Sequence, residues 1–494
     1  MRSSRAPGWA EIDTLASTPP FRDVEAHSPS VSRTRLANGG LVETVTFWIF
    51  VAGLAWTPLW YGSNDLFAWG INAVLFPGLA VAYELSLLAR NEPHPIALKT
   101  LRVPATLFAT VVTFILVQNA TAIPSLAHPI WETASKALGQ PLVGSISVNR
   151  DLTTLALLRL ITSASVFWIA VQLCRDTLRA NRLIEAIATV GVAYSAYGLV
   201  DFAAKTGRLA WFGTHLTKGY VSSTFINRNS LATYAGICLL LICSLILRRY
   251  RHYFAEVTGS WRHRVACLID ATGQGGATLL AAAFLVLVAL LLTGSRGGIV
   301  STMLGLIVFG AITLSHKSRR LRLPIFGIAV AATVCVGFGS PLLDILAQRG
   351  LGDDNRFAVY LITLQSIMDL PFTGFGYGTF VDVFPMYRDR SIGLFGVWEQ
   401  AHNTYLEVLQ GLGLIFGSML IATIALLARS CVNGAIERRE NFTVPCVAVG
   451  VICLVGLHAL VDFSLQIQAI TLTFVAILGA GFSQSMSSRD VLHD

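Results

Sequence analysis

Apolar stretches of about twenty residues recur along almost the whole chain, and they restrict the fold more than any other feature. Candidate spans lie at 44–61, 66–89, 103–119, 152–174, 183–200, 231–247, 278–293, 297–315, 323–341, 404–428, 444–461 and 465–483. A bilayer core takes a helix of about 20 such residues, with its backbone groups bonded internally. Soluble core helices are shorter and keep a polar face. Only 13% of the residues are charged, about half of the roughly 25% usual in soluble domains. The expected fold is an all-α polytopic integral membrane protein of about 12 transmembrane helices. Segments 278–293 and 297–315 are parted only by Thr293-Gly294-Ser295-Arg296, which suits two helices joined by a tight turn.

Charge sets the orientation. With the N-terminus inside and spans alternating, Lys and Arg fall preferentially in inside loops, most densely at Arg248-Arg249-Tyr250-Arg251 and Lys317-Ser318-Arg319-Arg320. This bias predicts cytoplasmic termini and an even number of spans. It also accounts for the net charge of +8 without a nucleic-acid partner, for which no basic helix or aromatic-basic surface is present. Residues 1–43 are polar and Pro- and Ser-rich, lack a signal-peptide core, and read as a disordered cytoplasmic tail. The eight Cys form no CxxC pair. Cys174, Cys238, Cys243, Cys335, Cys446 and Cys453 lie in or beside apolar segments, and Cys267 and Cys431 near inside loops, so neither disulfides nor a thiol metal site is expected.

The longest outside loop, 342–403, is rich in aromatics, including Phe380, Phe384, Tyr387, Phe395 and Trp398. It reads as a structured loop with a helix over about 355–369. Four polar clusters share this outer side: Asn227-Arg228-Asn229-Ser230, Gly294-Ser295-Arg296-Gly297-Gly298, Asp353-Asp354-Asn355-Arg356, and Glu399 through His402-Asn403 to Tyr405 and Glu407. Guanidinium forks at 228, 296 and 356 suit a diphosphate at the membrane surface. A helix starting after Gly297 would aim its N–H groups at the same anion. An isolated interfacial Arg, however, often only snorkels to headgroups. His402 reads either as a base for a hydroxyl proton or as an ordinary hydrogen-bonding ring. Asn229 and Asn403 are candidate helix caps, and Glu399 and Glu407 candidate partners of His402 or solvated acids. His458 and Asp462 either support this site or satisfy each other. Arg159, inside a span, is a packing group or a site residue. No DxD triplet and no phosphate-binding Gly-Lys-Ser/Thr loop occurs.

Several of these pieces fall in a suggestive order: Phe225-Ile226-Asn227-Arg228-Asn229-Ser230, then Gly294-Ser295-Arg296-Gly297-Gly298. Arg356 follows, then Pro371 and Gly374-Phe375-Gly376-Tyr377-Gly378, and last Ala401-His402-Asn403-Thr404-Tyr405-Leu406 with Gly411-Leu412-Gly413. Together they resemble the bacterial O-antigen ligase and O-antigen/exopolysaccharide polymerase superfamily of membrane glycosyltransferases. The resemblance covers about 220–420 and implies a catalytic region at 220–428, flanked by helices at 44–219 and 429–494. It implies inverting transfer of a whole glycan from undecaprenyl diphosphate, at the periplasmic face of the inner membrane, with no metal or other cofactor. The acceptor would be another lipid-linked glycan, lipid A core or a protein hydroxyl, and other polysaccharide-assembly proteins are possible partners. Carried over, Arg228, Arg296 and Arg356 bind the diphosphate and His402 is the base or orienting group. Asn227, Asn229, Ser295, Glu399, Asn403 and Tyr405 support them. The runs Val461–Ile467 and Pro124–Trp131 resemble the polymerases more than the lipid A–core ligases. The competing class is a transporter or flippase for lipid-linked oligosaccharide, although such proteins place their polar site near mid-membrane.

The orientation has a direct test. In intact cells, Arg390→Cys should react with a membrane-impermeant maleimide, whereas Arg320→Cys should react only after lysis; the reverse pattern would invert the topology.

Overall fold

The computed structural model describes residues 31–204, 219–255, 269–315 and 354–486, apart from 271, 394, 395 and 439. The expected span 323–341, most of the tail, and Cys267, Cys335 and Asp353 lie outside the described residues. Residues 1–42 form one unit and residues 43–494 another; the helical bundle belongs to the second.

Regular structure among the described residues is helical. The helices are α1 (Val31–Trp56), α2 (Leu66–Arg90), α3 (Arg102–Asn119), α4 (Ile130–Leu138), α5 (Arg150–Leu173), α6 (Thr177–Ala204) and α7 (Arg228–Ala255). They continue with α8 (Ala277–Leu292), α9 (Arg296–Ser315), α10 (Asp354–Asp369), α11 (Phe380–Tyr387), α12 (Thr404–Glu437), α13 (Thr443–His458) and α14 (Gln468–Ser485). Among the described residues, 7 helices are long and apolar enough to cross a membrane, namely α2, α3, α5, α6, α7, α9 and α12. The apolar part of α1 from Gly40, α8 and α13 are shorter. This is the architecture of an integral membrane protein. Helix α1 begins at Val31, inside the segment expected to be a disordered tail, because the last proline before it is Pro29.

Helix α14 runs through the middle of the bundle. Every residue from Gln468 to Gln484 except Thr471 is buried, against α5, α12 and α13. A helix apolar on all sides belongs in such a position. Helices in a lipid environment gain little from apolar burial and associate where small residues let backbones approach. Gly305 and Gly450 do this between α9 and α13: a Cβ on Gly305 would lie 2.7 Å from the Gly450 carbonyl oxygen. Cys431, expected near a loop, is instead buried within α12.

The expected span 404–428 is not one continuous helix. Gly413 interrupts α12 with φ 72° and ψ 172°, a conformation that a residue with a Cβ strongly resists. Freed backbone groups at membrane depth need partners within the protein. The Leu414 N–H donates to the Pro371 carbonyl. At the end of α3, Gln118 donates to the carbonyls of Thr373 (2.7 Å) and Gly411 (2.8 Å) and accepts from the Tyr377 N–H (3.2 Å). One side chain thereby joins α3, the broken helix and the segment after α10.

The aromatic-rich stretch folds on itself as expected. Val359, Ile362, Phe380, Phe384, Ile392 and Ala401 make a small separate core, with Trp398 and Tyr387 at its edge. Its helix α10 matches the one predicted over 355–369. This core fixes the chain that enters α12, and so it fixes His402.

Gln118→Leu removes partners from buried carbonyls, each worth about 1–3 kcal/mol when left unsatisfied. The purified variant should unfold several degrees below wild type in detergent; an unchanged midpoint would show that the break at Gly413 does not depend on Gln118.

Candidate active site

The N-terminus of α7 is built by Asn227, whose side-chain oxygen accepts from the Asn229 N–H at 2.7 Å. Asn227 is thus the cap, and Asn229, expected as one, is free to reach elsewhere: its amide donates to Asp462 Oδ1 at 3.0 Å. Asn403 caps α12 as expected, accepting from the N–H groups of Tyr405 and Leu406, each at 3.1 Å. Ser295 starts α9, its Oγ accepting from the Gly298 N–H at 3.2 Å. Arg296 follows as the first, exposed residue of that helix.

His402 sits just before the Asn403 cap with φ +53°, a left-handed conformation costing a non-glycine residue about 1–2 kcal/mol. The surroundings impose it. The Tyr360 hydroxyl donates to the His402 carbonyl at 2.9 Å. The imidazole meets Trp398 and Phe463 edge-on, with centroids 5.7 and 4.8 Å away. On the next turn, Glu407 accepts from the Ala401 N–H at 3.0 Å. Glu407 therefore holds the loop rather than the ring, and Glu399 is exposed. The carboxylate facing the ring is Asp462, with Oδ1 3.8 Å from Nδ1. That exceeds hydrogen-bond length, and Nδ1 has no hydrogen-bond partner among the described residues.

Asp462 is buried. Burial pushes its carboxyl up, but His402, His458, Ser464 and Asn229 around it outweigh that and hold it below the usual carboxylate range. The Ser464 hydroxyl donates to Asp462 Oδ2. Ser464 also accepts from Thr233 at 2.8 Å, and Thr233 lies 2.6 Å from His458 Nδ1. One consistent assignment runs the donors from the His458 N–H through Thr233 and Ser464 to the carboxylate. His458 and Asp462 are thus linked through hydroxyls, and Asp462 Oδ1 remains for Asn229 and His402.

The arginines meet the same region. Arg356 Nη1 donates to the Val461 carbonyl at 3.1 Å, one residue before Asp462. The guanidinium of Arg228 lies 3.8 Å from the Tyr220 ring centroid, and its Nη1 is buried with no partner among the described residues. A Cβ on Gly294 would lie 3.5 Å from that Nη1, and one on Gly297 would meet the His458 ring at 3.2 Å. The hairpin between α8 and α9 therefore stands between Arg228 and the 458–462 segment.

Tyr405 and Arg159 make contacts within the bundle. Tyr405 donates to the Gly456 carbonyl at 2.9 Å and ties α12 to α13. Arg159 bonds the Gln466 carbonyl and lies 4.3 Å from the Trp69 ring centroid, so it is engaged within the bundle. A groove of about 820 Å³ runs along α3 and α12, lined by Lys99, Arg102, Thr106, Thr110, Phe114 and Phe416 among others; none of the site residues lines it. Among the described residues no group of three His, Cys, Asp or Glu could hold a metal ion. Tyr360, Thr233 and Tyr220 carry no motif and are identifiable only through their contacts, and the place of Ser464 within the Val461–Ile467 run does not reveal its bond to Asp462.

Residues 281–422 match the family model described as O-antigen ligase. Over this stretch the chain is similar to the O-antigen ligase family. The match begins in α8 and ends within α12, so it holds the hairpin with Arg296, Arg356 and the His402 loop. Arg228, at the start of α7, and Asp462, in the link between α13 and α14, fall outside it. No curated protein matches the chain. The resemblance to the O-antigen ligase and polymerase superfamily is borne out, and the family supports glycan transfer of the ligase or polymerase type.

The lowered carboxyl of Asp462 has a pH consequence. A group whose folded value lies below its unfolded value, about 3.9, contributes stability above that pH and loses it as pH falls toward the folded value. Wild-type stability should therefore fall through the range below about pH 4. Asp462→Asn should be less stable at neutral pH and should lose part of that acid dependence. Equal acid slopes in chemical denaturation would show that Asp462 is not the linked group.

Proposed function

We propose that the protein transfers a glycan from undecaprenyl diphosphate to an acceptor hydroxyl at the periplasmic face of the bacterial inner membrane. One observation carries this reading. Arg228, the α9 start at Ser295 and Arg296, Arg356, and the His402–Asp462 pair come from separate stretches of chain and gather at one end of the bundle. A lipid diphosphate would give an anion to the buried Arg228 Nη1, which has no partner among the described residues, joined to a tail that stays in the bilayer.

The chemistry follows from the groups present. The acceptor oxygen attacks the anomeric carbon from the side opposite the diphosphate, the bond from that carbon to the diphosphate oxygen breaks, and configuration inverts. The hydroxyl proton passes to His402, and Asp462 compensates the imidazolium that forms. Undecaprenyl diphosphate leaves as an anion. Arg228, Arg296 and the N–H groups at the start of α9 meet its developing charge. Guanidinium groups thus supply the positive charge that a divalent cation brings to other phosphate sites. The Val461–Ile467 run, which holds Asp462 and Ser464, favours polymerisation of lipid-linked repeats over transfer to lipid A core.

The test is complementation of a polysaccharide-minus host at matched membrane levels. Arg296→Ala should lower polymer about 10²- to 10³-fold, as loss of a donor to developing charge does. His402→Ala should lower it about 10²- to 10⁴-fold. Lipid-linked repeats should still reach the periplasmic side in both. Repeats retained on the cytoplasmic side would identify a flippase, and wild-type polymer in both variants would reject the site.

A further inference from the structure

The Arg228 guanidinium is stacked on an aromatic ring. The Tyr220 ring centroid lies 3.8 Å from the guanidinium carbon, close enough for direct face contact. A ring on the face of a guanidinium leaves its in-plane N–H groups available to an anion. One of these, Nη1, is buried and has no partner among the described residues. An unpaired buried donor of this kind is costly unless a ligand completes it.

The hairpin is shaped around the ring. Gly294 has φ +62°, and a Cβ there would lie 2.5 Å from Tyr220 Cε1 and 2.8 Å from Cδ1. Any other residue at 294 would therefore have to evict the ring. The Val221 N–H donates to the Leu292 carbonyl at 3.0 Å, pinning the strip that carries Tyr220 to the end of α8. Tyr220 is 43% exposed, so it is not held there as part of an apolar core. The segment at 219–221, the α8–α9 hairpin and the first residue of α7 thus form one unit whose shared content is the Arg228 guanidinium.

We propose that Tyr220 is a positioning residue for the lipid diphosphate. Its ring holds the Arg228 guanidinium beside Gly294, so that Nη1 is presented toward the start of α9. The contact is made by the ring and not by the hydroxyl, and Gly294 is the space that admits it. The proposal rests on the reading that Arg228 binds the donor's diphosphate.

The experiment measures binding of undecaprenyl diphosphate to the full-length protein in nanodiscs, which needs neither acceptor nor sugar. Tyr220→Leu should raise Kd about tenfold, within the range of a partly desolvated cation–π contact. Tyr220→Phe should stay within about twofold, since the stacking ring is kept. Gly294→Ala should weaken binding as Tyr220→Leu does, and the double variant should be no weaker than either single one, because both remove the same stack. Wild-type Kd in Tyr220→Leu, or multiplying effects in the double variant, would overturn the proposal. Arg228→Ala separates the two levels. If it leaves Kd unchanged, the diphosphate reading of Arg228 fails; if it weakens binding while Tyr220→Leu does not, only the positioning role fails. Thermal unfolding of each variant shows that the protein compared is folded, and recovery in Tyr220→Phe excludes a loss that follows from any change at 220.

Discussion

An ionised carboxylate taken out of water costs several kcal/mol unless donors surround it, and Asp462 is buried. The groups around it come from different parts of the chain: Asn229 donates from the first turn of α7, Ser464 donates from the link between α13 and α14, and the His402 ring faces it at 3.8 Å from the loop entering α12. Keeping this carboxylate satisfied therefore forces three segments together. Ser464 extends the demand to Thr233 and His458, and Arg356 joins one residue away at the Val461 carbonyl. His402, held with φ +53° by the contacts around its loop, keeps its ring 3.8 Å from the acid.

The bundle makes that convergence possible by breaking a helix. Helix α12 enters as a short segment ending at Gly413, and Gln118 and Pro371 take up backbone groups at the break. The segment before the break carries Thr404 and Glu407 alongside the α13–α14 link. Thr404 N–H donates to the Ala459 carbonyl at 2.9 Å, and its hydroxyl reaches Gln466 Oε1 at 3.1 Å. A continuous helix from 404 would have a different approach to this link. Polar backbone away from water is tolerated only where protein covers it, and here the covering groups also shape the site.

The helical membrane architecture was legible because hydropathy and caps are local signals. The hairpin at Gly294, the helix over 355–369 and the Asn403 cap could all be read from neighbouring residues. Arg228, Arg296, Arg356 and His402 stand out as candidates through the same local signals. What the sequence hid was pairing across distance. Two Asn flank Arg228, and only contacts reveal that Asn227 caps the helix while Asn229 serves Asp462. Glu399 and Glu407 lie nearest His402 in the chain, yet Asp462 faces its ring from 60 residues away. The break at Gly413 was hidden too, because an apolar run with a glycine reads as one span. Tyr220 has no motif, and its meaning appears only when Gly294 and Arg228 stand beside it.

If this end of the bundle transfers a glycan off a lipid diphosphate, both products must appear together. The most direct measurement reconstitutes purified protein in liposomes with an undecaprenyl diphosphate-linked repeat unit and follows glycan and lipid products together. One undecaprenyl diphosphate should be released for each repeat transferred, with chelator present and no nucleotide added, and none by His402→Ala. Movement of the intact lipid-linked repeat across the bilayer, with no release of undecaprenyl diphosphate, would contradict it.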